Sequence, residues 1–294
     1  MHPEPSVVTT SHLTRRFGSK AALDDVSLNV PRGSVFGLVG ENGAGKSTLI
    51  KHILGLWRAQ SGEVRVFGLD PVGEPVSVLG RIGYLSEQPE LPEWMNVGEF
   101  IRYTQAFYPG WDPEYAEQLR QQFGLDLDKR IRVLSKGQRA KLGLLAAQAH
   151  RPDLLLLDEP SSGLDPIVRN DILAAVIRTV ADEGRTVFFS SHLLEEIERV
   201  ADHIAMLHQG KLVLCAPLDE IKMQYRRVLL HFDAPQIMAP SVPGALTVNG
   251  SGREWSALCN QPIKANFLNH VVDDQPASLG DIFVGIAGGA PLHA

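Results

Sequence analysis

The chain has 294 residues, 44% of them apolar, enough for one large domain with a smaller appendage, and no run approaches the ~18 apolar residues that cross a bilayer. A formal charge of −6 and the lack of any Lys/Arg run leave no electrostatic footprint for a nucleic-acid partner. Met1-His2-Pro3-Glu4-Pro5 has neither the basic nor the apolar region of a secretory signal, and Cys215 and Cys259 match no metal spacing, so two free thiols in the reducing cytoplasm are expected.

Val7 to Leu13 and Ala22 to Val30 read as strands joined by a polar turn from Thr14 to Lys20. Phe17 falls in that turn, ahead of a phosphate-binding pattern. It could stack on a flat base or simply be a surface or core aromatic. The apolar run Val35 to Val39 reads as a buried strand, and Leu49 to Leu54 has helical spacing. Between them Gly40-Glu41-Asn42-Gly43-Ala44-Gly45-Lys46-Ser47-Thr48 fits G-x-x-x-x-G-K-[ST] residue for residue. Glycines let the backbone turn and point several N–H groups at a triphosphate, aided by the positive end of the following helix. Lys46 would reach the β- and γ-phosphates, and the Ser47 hydroxyl would serve Mg²⁺.

Val64 to Phe67 and Arg81 to Leu85 read as short strands. From Ser86 to about Leu134 the proline-punctuated stretches Val97 to Phe107 and Pro113 to Phe123 read as a helical insertion between sheet segments. Leu134-Ser135-Lys136-Gly137-Gln138 opens a helix to about His150, with Ser135 where a helix N-terminus presents N–H groups. The buried strand Leu154 to Leu157 ends in Asp158 and Glu159. Strand alternation puts these carboxylates on opposite faces, one toward a metal and the other toward the γ-phosphate end, and two acids closing an apolar strand are costly unless something uses them. Ser161-Ser162-Gly163-Leu164-Asp165 leads into a helix from Ile167 to about Ala181. Thr186 to Ser190 is another buried strand, and His192 lies just past its end, where α/β sheets place ligand-facing residues and where a single His is also commonly structural. Ile204 to Leu207 and Lys211 to Leu214 read as a hairpin.

Taken together, these residues resemble the ATP-binding subunits of ABC transporters over about Val7 to Met223. The order is Walker A at Gly40 to Thr48, signature at Leu134 to Gln138, Walker B and its glutamate at Leu154 to Glu159, D-loop at Ser161, Gly163, Leu164 and Asp165, and switch histidine at His192. The resemblance implies an α/β P-loop NTPase of the ABC ATPase type at 1–223, with a RecA-like core, an antiparallel β subdomain and a helical subdomain at about 88–140. A small C-terminal α+β appendage follows at 224–294.

By the same resemblance Phe17 stacks on adenine, Glu159 polarises the attacking water and His192 contacts the γ-phosphate. Ser47 and Asp158 hold Mg²⁺, and Ser135 and Gly137 act in trans in a head-to-tail dimer of like or unlike ATPase subunits that sandwiches two ATP molecules. A separate membrane permease is the implied partner, at the cytoplasmic side of the inner membrane, and Phe107 to Asp112 points to the bacterial branch with ABC-2-type membrane subunits. A soluble ATPase acting on nucleic acid or ribosomes is the competing class, against which stand the single ATPase half and the acidic charge. Two positions depart from the family pattern. Lys136 replaces the first glycine of Leu-Ser-Gly-Gly-Gln, and the glutamine expected after the strand Ile82 to Leu85 falls at Glu87, with Gln88 one place late. Either Glu87 takes the metal-facing role, which the count favours, or the loop shifts by one.

After Met223, Arg227 to Phe232 and Ala245 to Val248 could be strands of a small sheet, with Asn249-Gly250-Ser251-Gly252 as a turn. Ser278 to Ile286 resembles a short closing helix of ATPases in the same branch, and a packing or dimer-support appendage is the expected role.

Overall fold

The computed structural model describes residues 6–181, 184–261 and 269–288; Met1 to Pro5 lie outside them. In chain order come β1 (Ser6–Phe17), β2 (Lys20–Pro31), β3 (Val35–Val39), α1 (Lys46–Ile53), β4 (Ser61–Val66), α2 (Pro75–Leu79), β5 (Ile82–Leu85), α3 (Val97–Gln105), α4 (Pro113–Gln122), α5 (Lys136–Gln148) and β6 (Leu154–Asp158). Then follow α6 (Pro166–Ala181), β7 (Thr186–Ser191), α7 (Leu194–Val200), β8 (His203–His208), β9 (Lys211–Pro217), α8 (Leu218–Gln224), β10 (Arg226–Gln236), β11 (Ala245–Cys259), β12 (Val271–Pro276) and α9 (Leu279–Ala287). They form two compact units, Met1–Leu212 and Val213–Ala294.

A six-stranded sheet in the order β5-β6-β7-β3-β8-β9 organises the first unit, parallel across β5/β6, β6/β7, β7/β3 and β3/β8. Every residue of β3, β6 and β7 is buried, which explains their unbroken apolar runs: a parallel strand covered on both faces has no solvent side to mark with polar residues. Phe36 of β3 stacks on Phe188 of β7 with ring centroids 5.4 Å apart. Because β6, β7 and β3 are neighbours running the same way, their carboxyl ends, Asp158, Ser191 and Val39, come out side by side. Ligands of open α/β sheets bind in the crevice beyond such ends.

A second, antiparallel sheet, β2-β1-β4, shares its core with β3 and α1. Its strands run further than the hydrophobic pattern suggests. The turn between β1 and β2 is only Gly18-Ser19, so Phe17 closes β1 instead of riding in a loop. The helical insertion has the expected punctuation. Asn96 and Glu99 close a capping box on α3, and Asp112 caps α4 ahead of Pro113. The β8–β9 turn carries Gln209 and Gly210 at φ of 48° and 82°, the left-handed pair that a tight two-residue hairpin requires. Three short helices, α2, α7 and α8, were not anticipated, since five to seven residues leave too little periodicity to read.

The second unit is an antiparallel sheet in the order β11-β10-β12 around Val228, Leu230, Phe232, Trp255 and Ala257, with α9 capped by Ser278. The turn expected at Asn249 to Gly252 lies within the continuous span of β11, and the chain folds back beside it: a Cβ on Gly250 would stand 2.3 Å from the Glu254 carbonyl oxygen and 2.7 Å from Trp255 Cα, with Gly250 and Gly252 at φ of 153° and 59°. Among the described residues no helix is long and apolar enough to cross a membrane.

Candidate active site

The phosphate-binding loop joins β3 to α1, and its glycines fit because the backbone is enclosed. Gly45 has φ of 113°, and a Cβ there would strike the Ala22 carbonyl. The Lys46 ammonium turns back over the loop, donating to Gly40 O at 2.5 Å and to Glu41 O at 3.3 Å. It also lies 3.0 Å from Glu159 Oε1. Both side chains are buried, so this is an ion pair withdrawn from water.

Strand β6 ends at Asp158, whose Oδ1 accepts a 2.7 Å hydrogen bond from Ser190 Oγ on β7. Glu159, one residue on, has φ of 50°, a left-handed conformation that non-glycine residues rarely adopt and that costs about 1–3 kcal/mol unless its surroundings impose it. Its N–H donates to the carbonyl and to the hydroxyl of Ser190 at 3.2 and 3.0 Å, which holds the turn. The two carboxylates therefore part company through this turn at the strand end, where regular alternation no longer applies. Glu159 Oε2 meets His192 Nδ1 at 2.7 Å and accepts from the His192 N–H at 3.3 Å. Lys46 at the start of α1, Glu159 after β6 and His192 after β7 thus form one contiguous cluster.

A cavity of about 280 Å³ opens over this cluster, lined by Phe17, Gly43, Lys46, Ser47, Thr48, Glu87 and Glu159 among others. Phe17 stands at its rim, 45% exposed, its ring edge-on to Trp57 at 5.3 Å with the Arg15 guanidinium 5.0 Å from its centroid. Glu41, Asn42 and Gly45 complete the loop wall, and the buried Ala44 packs into the core beneath. Glu87 lines this cavity and Gln88 does not. The Glu87 carboxylate also accepts from Ser162 Oγ at 3.3 Å. Lys20 and Ala22 line the cavity as well and were missed by sequence reading, which had placed Lys20 in a turn. Ser190 was missed too, since nothing in an apolar strand marks one hydroxyl as the link between two carboxylate positions.

Leu134 to Gln138 are absent from the residues lining this cavity. Ser135 caps α5, its Oγ accepting from the Gln138 N–H at 3.2 Å while Gln138 Oε1 accepts from the Ser135 N–H at 3.1 Å. Gly137 lets α5 press on α6, where a Cβ would come within 2.9 Å of Val168. Lys136 instead lines a second cavity of about 460 Å³ with Glu87, Gln88, Ser162 and Leu164. In the loop after Glu159, Asp165 Oδ1 accepts from the N–H groups of Ile167 and Val168 at 3.1 Å each and so starts α6. Gly163 has φ of 63°, Leu164 is buried, and the Ser161 hydroxyl donates to Glu196 at 2.6 Å.

The donors at the cavity suit a triphosphate with a hard divalent cation: an enclosed glycine loop, an ammonium, and oxygen ligands from Ser47 and Glu87, while Asp158, bonded to Ser190, does not line it. Tyr84, near Asp158, has its phenol pushed up to about 12, first by burial and then by the Asp158 charge.

Known proteins agree with this reading. Residues 23–162 match the family model described as ABC transporter. The bacitracin transport ATP-binding protein BcrA of Bacillus licheniformis is 32% identical over 226 residues, 76% of this chain and 74% of that protein. The ABC transporter ATP-binding protein YtrB of Bacillus subtilis is 29% identical over 289 residues, 96% of this chain and 99% of that protein, so that match reaches through the second unit. A solved ATP-binding subunit of an ABC transporter superposes with a TM-score of 0.68 at 30% identity, covering 74% of this chain and 93% of that one. With the phosphate loop, the acid pair and the histidine assembled at the ends of three adjacent strands, the chain belongs to the ABC transporter family as one of its ATP-binding, ATP-hydrolysing subunits.

Proposed function

We propose that this subunit hydrolyses MgATP at a composite site, half of it built by this chain, and passes the resulting motion to a separate membrane permease. The observation that carries the reading is the Lys46–Glu159–His192 cluster beneath the phosphate loop. Lys46 and the loop N–H groups hold the phosphates, and Phe17 supports the adenine. Ser47, Asp158 and Glu87 are the oxygen ligands for Mg²⁺, which when bound neutralises phosphate charge. Glu159 orients a water and takes its proton as the water oxygen attacks the γ-phosphorus. The bond to the β–γ bridging oxygen breaks and ADP leaves. His192 holds Glu159 and faces the γ-phosphate, and catalysis comes mainly from positioning and charge stabilisation.

Ser135 and Gly137 do not line the cavity at the loop of their own chain, which favours their use in trans, from a second copy or a related subunit in a head-to-tail dimer with Leu134, Lys136 and Gln138 around them. The ATPase domain is assigned to 1–223 and a supporting appendage to 224–294. The subunit works peripherally at the cytoplasmic side of the inner membrane, in the branch with ABC-2-type permeases. BcrA is named for bacitracin transport and the Streptomyces peucetius relative DrrA for daunorubicin/doxorubicin resistance, which supports a transport role for this subunit. Affinity capture from solubilised membranes tests the assignment: a multispanning subunit should co-purify, and recovery of ribosomes or DNA instead would overturn it.

A further inference from the structure

One more carboxylate is buried against the loops of this site. Glu196 of α7 is 5% exposed. Its Oε2 accepts from Ser161 Oγ at 2.6 Å and from Ser191 Oγ at 3.1 Å, and its Oε1 lies 3.1 Å from Arg169 Nε on α6. A carboxylate taken out of water is costly unless paired and hydrogen-bonded, so a residue needed only for packing would be better served by an apolar side chain. The partners explain the choice. Ser161 follows Glu159 by two residues, and Ser191 immediately precedes His192. One carboxylate oxygen therefore ties the loop that carries Glu159 to the loop that carries His192, while Arg169 holds the other oxygen to the helix that the first of these loops enters.

Glu159 needs such a tie. Its backbone is left-handed, and its side chain is divided between Lys46 and His192. Phosphates arriving at Lys46 compete for that ammonium, and the His192 contact alone must then orient the carboxylate. We infer that Glu196 is a positioning residue for hydrolysis, setting the separation of the two loops so that the Glu159–His192 contact survives the loss of Lys46. This rests on the roles given above to Glu159 and His192.

The decisive measurement is steady-state ATP hydrolysis, resolved into kcat and KM, with direct binding of Mg-nucleotide as the control. Glu196→Leu should lower kcat by about 10²-fold while ATP affinity stays within about threefold, the pattern of misplaced catalytic groups with intact substrate binding. Glu196→Gln keeps an acceptor oxygen for both hydroxyls and should restore kcat to within about fivefold of the parent. Should Glu196→Leu fail to fold, the double variant Ser161→Ala with Ser191→Ala, which spares the Arg169 pair, decides alone, with a kcat loss of about tenfold or more expected. A kcat within about twofold of the parent in that variant, or equal losses in kcat and nucleotide binding, overturns the inference. If Glu159→Gln or His192→Ala also turns over normally, the underlying assignment of the site has failed, and the two failures are thereby distinguished.

Discussion

Lys46 Nζ lies 3.0 Å from Glu159 Oε1, and both side chains are buried, so the residue proposed to receive phosphates and the residue proposed to activate water hold each other. A γ-phosphate that draws Lys46 away releases one oxygen of Glu159 while His192 keeps the other. Under the roles proposed for these residues, substrate binding and the freeing of the general base are one event, and water activation is conditional on an occupied loop.

Glu159→Gln separates binding from chemistry. The amide is close in size and removes the charge that competes for Lys46, so ATP binding is retained and turnover falls by about 10²-fold or more. Phosphate release, equilibrium nucleotide binding and size-exclusion chromatography with ATP check this, with accumulation of an ATP-bound dimer expected. Turnover near the parent rate would remove Glu159 from its role.

Lys136→Gly returns the signature to the family pattern. Lys136 is exposed, and its Nζ stands 2.5 Å from where a Cβ on Gly163 would lie, so the glycine leaves room for the lysine. Hydrolysis should stay within about threefold of the parent, because Ser135 and Gly137 are unchanged and exposed substitutions act weakly. A loss of more than about a hundredfold would assign Lys136 a chemical role of its own.

Only Glu87, of the two candidates after β5, lines the cavity with Lys46 and Ser47. Glu87→Ala is therefore expected to lower kcat by about tenfold or more at limiting Mg²⁺, with partial recovery as Mg²⁺ is raised, whereas Gln88→Ala stays within about twofold. Magnesium titrations of both variants decide the pair, and the reverse pattern would give the position to Gln88.

Stability should decline on mild acidification. Burial is the first cause that lowers the pKa of His52 and of His150 from the ordinary 6.5; hydrogen bonding to the Trp57 and Ile82 carbonyls opposes it, and Arg15 and Arg185 add to it. Below pH 6.5 the unfolded chain takes up protons that the folded histidines still refuse, so the unfolded state binds more protons and stability falls as pH drops toward the lowered folded values. Thermal midpoints should decrease between about pH 7.5 and pH 5.5, and His150→Phe, which keeps a ring against Tyr108 at the site of the 4.0 Å stack, should flatten the slope. A midpoint independent of pH over that window would count against both assignments.

Legibility followed the locality of the interactions. The phosphate loop, the helix start at Ser135, the buried run before Asp158 and the helix starts at Val97 and Pro113 all depend on residues within a few positions of one another, so spacing alone revealed them. Asn249 to Gly252 was legible for the same reason, its glycines marking where the chain folds back onto Glu254 and Trp255. Glu196, Ser190 and Lys20 could not be singled out, since their partners lie in other segments.

By itself, then, the sequence determined which residue types stand at the strand ends and that one of the loops between them binds phosphate, because those are properties of short stretches. Tertiary structure alone decided that β7 lies between β6 and β3, which brings Lys46, Glu159 and His192 within hydrogen-bonding distance across more than a hundred residues. It also turned Glu87 rather than Gln88 to the cavity and left Ser135 and Gly137 away from it. Strand order and loop register are set by packing over the whole sheet, and no local pattern encodes them.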